Sequence, residues 1–167
     1  MRQRRPERRC TGRAITWRVV AMLFICACRP HVATAQATMR QHIVRIVGTD
    51  YALAAPDTVA AGLTAFHFEN RGAKHHEIAV VLARAGTTAA QIVAAAKAGL
   101  PAPKLGAAYA DGPPVGALFA APGHTSRAAL VFLLERGRDY VVVCTLRDDP
   151  TMPEHAELGM FHVVHVR

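Results

Sequence analysis

Long hydrophobic runs and charged residues are both scarce in this 167-residue chain. Charged side chains make up 19% of the residues against 51% for hydrophobic ones, which excludes an intrinsically disordered protein. The N-terminal apolar run, residues 19–28, is too short to cross a bilayer, so we expect no stable membrane span. The length favours one domain with its own hydrophobic core.

Basic residues are numerous in total but scarce outside the N-terminus. The formal net charge is +8, yet residues 1–37 contain eight of the twenty Lys and Arg residues and one of the twelve acidic residues. The remainder therefore carries twelve basic and eleven acidic residues, a net charge of +1. Nucleic-acid binding requires a concentrated basic surface, and no basic cluster remains in this part of the sequence. We expect no nucleic-acid partner.

Residues 1–37 have the pattern of a secretory signal peptide. An Arg-rich stretch, residues 2–18, precedes the apolar run, and the small residues at 35–37 provide a cleavage site. We predict a mature domain of residues 38–167 and a periplasmic or secreted protein. The alternatives are an uncleaved membrane anchor and a lipoprotein anchored at Cys28, which lies in a loosely lipobox-like sequence.

Paired cysteines are absent from the predicted mature domain. Cys10, Cys26 and Cys28 lie in the signal peptide, which leaves Cys144 as the one thiol of residues 38–167. Because structural cysteines of exported proteins occur in pairs, an internal disulfide framework is excluded. Three interpretations of Cys144 remain: a buried small hydrophobe, a partner in an intermolecular disulfide, or a metal ligand.

The mature domain alternates β-like segments with turn signals such as Pro122-Gly123 and Arg136-Gly137. Short strands bounded by such turns are typical of β-sandwiches. The predicted strands are residues 42–53, 63–69, 78–83, 116–121, 125–134, 139–146 and 160–166.

One segment of the mature domain departs from the β pattern. Residues 87–98 are rich in alanine, follow a threonine that can cap a helix, and end before Gly99 and Pro101, which predicts a helix. Residues 99–116 are rich in Gly, Pro and Ala and are expected to form a loop. The sequence therefore predicts an all-β, Greek-key sandwich of about seven or eight strands with one inserted helix.

Soft metal donors lie at the ends of these predicted elements. His76 lies at the entry to the third predicted strand, Cys144 near the end of the penultimate one, and His155 and Met160 in the connection to the last. Two histidines, a cysteine and a weak axial methionine are the donor set of blue-copper electron-transfer sites. We therefore predict copper as the cofactor, with His76, Cys144, His155 and Met160 as its ligands. His75 is the alternative to His76.

Three short passages occur in a characteristic order along the chain. They are Asn70-x-Gly72 before His76-Glu77, then Pro122-Gly123, Leu134, Gly137 and Tyr140 before Cys144, and finally His155-Ala156-Glu157-Leu158-Gly159-Met160. In this order they resemble the cupredoxin family, the group of plastocyanin, azurin and rusticyanin, over about residues 42–167. The resemblance implies a type 1 copper electron carrier, a redox partner protein, and a His155 more exposed than His76.

The loop after the cysteine departs from that resemblance. Ten residues separate Cys144 from His155, more than in the familiar cupredoxins. The added length leaves open whether Met152 or Met160 supplies the axial sulfur, and how deeply the metal is buried. Glu77 is a second departure, because several cupredoxins have an asparagine after the first histidine.

The sequence contains no recognisable Ser-His-Asp arrangement, phosphate loop or pair of catalytic carboxylates. We therefore expect an electron carrier or metal-binding protein rather than an enzyme, and a monomer. Two alternatives remain: a copper storage or delivery protein, and a metal-free cupredoxin-like extracellular interaction domain. The acidic residues of the loop are expected to be solvated rather than to bind a hard cation: Asp148, Asp149, Glu154 and Glu157.

Overall fold

The structure, a computed structural model, describes residues 40–167. The predicted signal peptide, its cleavage site and the lipidation of Cys28 lie outside the described residues. Within the described range, no helix combines the length and the apolar character needed to cross a membrane.

Nine strands and two short helices follow one another along the described chain. They are β1 His42–Thr49, β2 Ala52–Ala54, β3 Thr58–Val59, β4 Gly62–Asn70, β5 His76–Leu82, α1 Ala89–Lys97, α2 Ala102–Tyr109, β6 Gly116–Ala120, β7 Leu130–Leu134, β8 Asp139–Val143 and β9 Phe161–Val166. The prediction of a β-sandwich with a helical insertion is confirmed, and two of the nine strands have only two or three residues.

The strands form two sheets. The four-stranded sheet has the order β2-β1-β4-β7, and the five-stranded sheet has the order β3-β9-β8-β5-β6. β1 pairs in parallel with β4, whereas β5 pairs antiparallel with both β6 and β8. In several neighbouring pairs, such as β1–β4 and β5–β8, the two strands come from distant parts of the chain.

The core lies between the facing surfaces of the two sheets. Side chains alternate along β1, so Val44 and Ile46 point inward and are buried, and Phe66 and Phe68 of β4 do the same. Ile78, Val80, Val142 and Val164 of the five-stranded sheet meet them and are fully buried. Each large apolar side chain buried in this way contributes about 1.5–3 kcal/mol to folding.

The strand pairing brings the predicted ligands to one end of the sandwich. β5 begins at His76, and β8 ends at Val143, one residue before Cys144. β5 and β8 are antiparallel neighbours with Ala79 opposite Val143, so the start of one strand lies beside the end of the other. His76 and Cys144 therefore share an edge of the sheet although 67 residues separate them.

The first predicted strand is interrupted. Residues 42–53 are expected to run as one strand, but Asp50 and Tyr51 form a tight turn that folds β2 back antiparallel on β1. Tyr51 has a φ of 131°, a left-handed conformation that a non-glycine residue rarely adopts. The turn was missed because neither Gly nor Asn occupies its positive-φ position.

The helical insertion contains two helices, whereas the sequence predicts one. α1 has a capping box in which the Thr88 side chain accepts from the Gln91 backbone while the Gln91 side chain accepts from the Thr88 backbone. α2 lies within residues 99–116, where the sequence predicts a loop, so that part of the prediction is wrong. Pro101 is the N-cap of α2 and Pro103 lies in its first turn, where proline costs no backbone hydrogen bond, so both are compatible with the start of a helix.

Candidate metal centre

Three of the four predicted ligands converge on one point. The two Nδ1 atoms of His76 and His155 lie 3.1 Å apart, and the Cys144 Sγ lies 3.4 Å from the His155 Nδ1 and 4.0 Å from the His76 Nδ1. All three residues are buried, with 1% exposure for each histidine and none for Cys144. Among the described residues, they form the group whose donor atoms could hold one metal ion.

Backbone hydrogen bonds fix these three residues to different elements. His76 starts β5 and pairs with Ala120 of β6. Cys144 follows β8, and its amide donates to the carbonyl of Met160. His155 lies in the long loop, where its amide donates to the carbonyl of Leu146 at 2.8 Å. The loop is therefore folded back onto the residues just after the cysteine.

Each histidine has a carboxylate partner on its other ring nitrogen. His76 Nε2 lies 2.8 Å from the Asp50 carboxylate, and His155 Nε2 lies 3.2 Å from the Asp148 carboxylate. A carboxylate accepts hydrogen bonds, so it holds the proton on Nε2 and leaves a lone pair on Nδ1. Carboxylates in this position are usual behind metal-binding histidines, because they fix the tautomer and the ring orientation.

The resulting arrangement fits a cation. Two neutral imidazoles held in this tautomer present their Nδ1 lone pairs to each other across 3.1 Å, with the sulfur beside them. Lone pairs at this separation repel unless a proton or a metal ion lies between them. Nitrogens about 2.0 Å and a sulfur about 2.3 Å from one ion lie roughly 3.3–3.8 Å apart at tetrahedral to trigonal angles. The distances in the structure are close to these values.

Burial controls the protonation of the donors. Desolvation raises the pKa of the Cys144 thiol, while backbone N–H groups of Glu77 and Leu146 act in the opposite direction. Desolvation also lowers the pKa of His155, although the hydrogen bond to Asp148 opposes it. The lowered pKa favours the neutral form of His155, and a metal that bound here would have to displace the thiol proton.

The carboxylates themselves are held as anions. The hydrogen bond from His76 is the largest cause that lowers the pKa of Asp50, with backbone amides of Ala73 and Lys74 adding to it. The Tyr51 hydroxyl does the same for Asp148 and lowers the pKa of that carboxyl. Lys74 forms a 3.4 Å ion pair with Asp148. Two negative charges therefore lie behind the two imidazoles.

The Asn70-x-Gly72 motif has a direct role in this geometry. The Asn70 side chain donates to the carbonyls of Lys74 and Ala120 and accepts from the Gly72 amide, which fixes the turn before β5. A Cβ atom at Gly72 would lie 2.1 Å from the Asp50 Oδ1 and 3.0 Å from the His76 Nε2. Glycine is therefore required at this position, because the Asp50–His76 pair occupies the space of a side chain.

Glu77 supports the residue after the cysteine. Its carboxylate accepts hydrogen bonds from both the backbone amide and the hydroxyl of Thr145, and it is 7% exposed. Glu77 therefore links β5 to the chain beside Cys144 by hydrogen bonds, although several cupredoxins have an asparagine at this position.

Tyr51 covers the two imidazoles. Its ring packs edge-on against His155 at a centroid distance of 5.0 Å and against His76 at 6.4 Å, and its hydroxyl donates to Asp148. The resemblance implies a His155 more exposed than His76, but both histidines are 1% exposed. The expectation fails because Tyr51 and Asp148 occupy the space outside the His155 ring.

The alternative ligands lie outside the cluster. His75 is exposed, whereas its neighbour His76 is buried in the cluster. Met152 is 45% exposed, whereas Met160 is fully buried and belongs to the same core cluster as Cys144. The Met160 amide donates to the carbonyl of His155 at 2.9 Å and its carbonyl accepts from the Cys144 amide at 3.1 Å, so its backbone links these two residues.

The acidic residues of the loop do not form a cation site. Asp148 contacts His155, Asp149 accepts from Thr151, and Glu154 and Glu157 both contact Arg147.

Two further residues of the centre, Asp50 and Tyr51, were not identified from the sequence. The one available signal was an aspartate next to an aromatic residue at the end of a predicted strand.

The comparison with known proteins concerns fold rather than sequence. No protein-family model and no curated protein sequence matches the chain. The structure is similar to an auracyanin from Roseiflexus castenholzii, at 19% identity over 75% of this chain and 96% of that chain, with a TM-score of 0.46.

Two more solved structures are similar at the same level. Auracyanin A, a "blue" copper protein from Chloroflexus aurantiacus, is 17% identical over 77% of this chain and 100% of its own, with a TM-score of 0.44. Rusticyanin from Thiobacillus ferrooxidans is 16% identical over 75% of this chain and 77% of its own, also with a TM-score of 0.44. All three are cupredoxins, the family that the sequence motifs resemble, and the likeness concerns the fold alone.

Proposed function

We propose that this protein is an exported copper protein of the type 1 class that carries electrons to or from a partner protein. The observation that supports this most directly is the convergence of two carboxylate-backed Nδ1 atoms and one thiol sulfur within 4.0 Å of one another. Copper bound there would supply a one-electron couple between its cuprous and cupric forms.

In this proposal the chain's own residues hold the donors and exclude water. His76, Cys144 and His155 would provide two nitrogens and a sulfur to the ion, and the buried Met160 would provide a thioether sulfur as the fourth donor. The burial of all three cluster residues leaves little access for a substrate, which supports electron transfer over catalysis. Tyr51 and Asp148 lie between His155 and the solvent, so a redox partner would meet this edge of the protein.

The test is cupric-ion titration of the purified protein with visible absorption as the readout. We expect an intense thiolate-to-copper band at one equivalent, lost in Cys144→Ser and in His76→Ala. His75→Ala is the matched control, because His75 is the exposed neighbour of His76 and should leave the band unchanged. Zinc should compete, since it accepts the same nitrogen and sulfur donors.

Failure has a clear form in this experiment. If the wild-type protein shows no band and retains no copper after dialysis, both copper functions are wrong, and the metal-free interaction domain becomes the better hypothesis. If the Cys144→Ser variant keeps the band, the thiol is not a ligand and the proposed site is wrong.

Copper storage or delivery is the second candidate, and the ten-residue loop between Cys144 and His155 favours it. A loop that opens would release metal to an acceptor. Within the loop, however, Arg147 donates to the carbonyl of Met152 and pairs with Glu154, which restrains opening. Rapid transfer of cuprous ion to a competing chelator would support delivery, whereas slow transfer with reversible reduction of the band would support the carrier.

A further inference from the structure

A cavity lies beneath the helical insertion, and none of the three candidate metal donors lines it. It has a volume of about 390 Å³ and lies between the outer face of the five-stranded sheet and the two helices. Ala79 and Val141 line the sheet side, and Ile92, Ala96 and Leu105 line the helix side. Small-molecule sites have volumes of about 300–1,000 Å³ and mostly apolar walls, and this cavity meets both criteria.

The cavity stays open because small residues occupy positions where large ones would close it. A helix that lies on a sheet normally buries one apolar stripe, yet none of the residues of α2 is buried. Gly106 of α2 lines the cavity, and a Cβ atom at this position would meet nothing within 4 Å. The inner side of α2 therefore faces open space instead of packed side chains.

The chemistry of the wall selects a neutral occupant. Within the described residues, Glu154 and Tyr109 are the ionisable side chains that line the cavity. Both Glu154 oxygens are already used, one by Arg147 and the other by the Ala102 amide. The other polar groups of the wall are hydroxyls: Tyr109 provides a phenol, and the Thr145 hydroxyl donates to Glu77. No unpaired charge is therefore available to balance a charged ligand.

We propose that this cavity is a binding site for a neutral, apolar small molecule about the size of two or three aromatic rings. Binding of such a molecule removes the apolar walls of the cavity from contact with water. This hydrophobic effect drives association, and no ion pair is needed. This site is separate from the proposed copper function and does not depend on it.

The probe is N-phenyl-1-naphthylamine, a neutral dye that becomes fluorescent in apolar surroundings. It is titrated into the purified, metal-free wild-type protein and into two variants of α2. Gly106→Phe places a ring in the cavity at a position with room for it, whereas Ala108→Phe adds the same ring on the exposed face of the same helix. Gly106→Leu is a smaller filling variant that decides the result if thermal melting shows that Gly106→Phe is poorly folded.

We expect one dye molecule to bind per wild-type protein, with affinity unchanged in Ala108→Phe and reduced at least about tenfold in Gly106→Phe and Gly106→Leu. The sulfonated analogue, 8-anilinonaphthalene-1-sulfonate, should bind at least about tenfold more weakly than the neutral dye, because burial of its charge is not compensated. The site is disproved if the wild type does not bind the neutral dye, or if both Gly106 variants bind it as the wild type does. Equal binding of the two dyes would overturn the assignment of a neutral ligand.

Discussion

The candidate metal centre has two halves that are built in different ways. In the strand half, His76 starts β5, and its partner Asp50 also accepts from the backbone amides of Ala73 and Lys74 at 2.9 and 3.2 Å. In the loop half, His155 and its partner Asp148 both lie in the chain between Cys144 and β9, and Asp148 is held by the side chains of Tyr51 and Lys74.

The two carboxylates differ in how firmly they are held: backbone amides hold Asp50, whereas side chains hold Asp148. Backbone amides cannot move without the chain that carries them, and those of Ala73 and Lys74 lie in the turn before β5, so that turn determines the orientation of Asp50. Asp148 depends on a tyrosine hydroxyl and a lysine, which can rotate and can change their hydrogen-bonding roles. We therefore expect a substitution of Asp50 to lower the stability of the protein more than a substitution of Asp148 does. We expect the loop half to control how easily the metal leaves.

The largest effect should involve both halves equally. Copper in excess should raise the melting temperature of the wild type, because binding at a free concentration 1,000-fold above Kd stabilises the folded state by about 4 kcal/mol. His76→Ala and His155→Ala should both lose this rise, as followed by thermal melting with and without copper. If one of the two variants retains the full rise, the halves do not share one ion.

The next largest effect concerns the stability of the strand half in the metal-free protein. Both oxygens of Asp50 accept from donors, so Asp50→Asn turns an amide N–H₂ toward at least one donor and should lower the free energy of unfolding by about 1 kcal/mol. Urea unfolding of the metal-free protein measures this. Asp57→Asn is the control, because Asp57 is an exposed aspartate outside the centre.

Asp148→Asn should have a smaller effect on stability but a clear effect on metal binding. The Tyr51 hydroxyl can accept as well as donate, so it can adapt to an amide at position 148. The loss of the carboxylate behind His155 should still weaken copper affinity by about tenfold, at the lower end of the range for such partners. Chelator competition measures the affinity. A loss of stability equal to that of Asp50→Asn would remove the proposed distinction between the halves.

Tyr51→Phe should have the smallest effect. The ring remains over His155, but the hydroxyl that holds Asp148 is lost, so the copper affinity should stay within about threefold of the wild type while copper dissociates faster. Stopped-flow transfer to a chelator measures the rate. Tyr140→Phe removes a hydroxyl from the opposite side of the core, where it accepts from the Glu135 amide, and should leave the rate unchanged.

The sequence was sufficient to propose the donors but not to find their supports. Cys144 and His76 stand out because their side chains are soft metal donors near the ends of predicted strands, and His155 because it lies in the connection to the last predicted strand. Asp50 and Asp148 are common residue types, and their contacts with His76 and His155 depend on a tight turn and on the folding of a ten-residue loop. No periodicity in the sequence reports such long-range contacts.

The same limit explains the errors in secondary structure. The seven longer strands overlap the predicted ones because each has an apolar face and turn residues separate them, whereas the two-residue strand β3 was not predicted. The break after β1 was missed because Tyr51 adopts a left-handed backbone that its side chain does not favour. α2 was missed because Pro101, Pro103 and Gly106 all argue locally against a helix, although two of them lie at its first turn.

The cavity under the helices and the metal centre share a short piece of chain. Thr145 and Glu154 line the cavity, and they directly follow Cys144 and directly precede His155. Thermodynamic linkage makes any influence between the two sites reciprocal. Whatever factor an apolar occupant applies to the affinity for copper, copper must apply the same factor to the affinity for that occupant. The loop between Cys144 and His155 would be the segment through which any such coupling between the two binding equilibria passes.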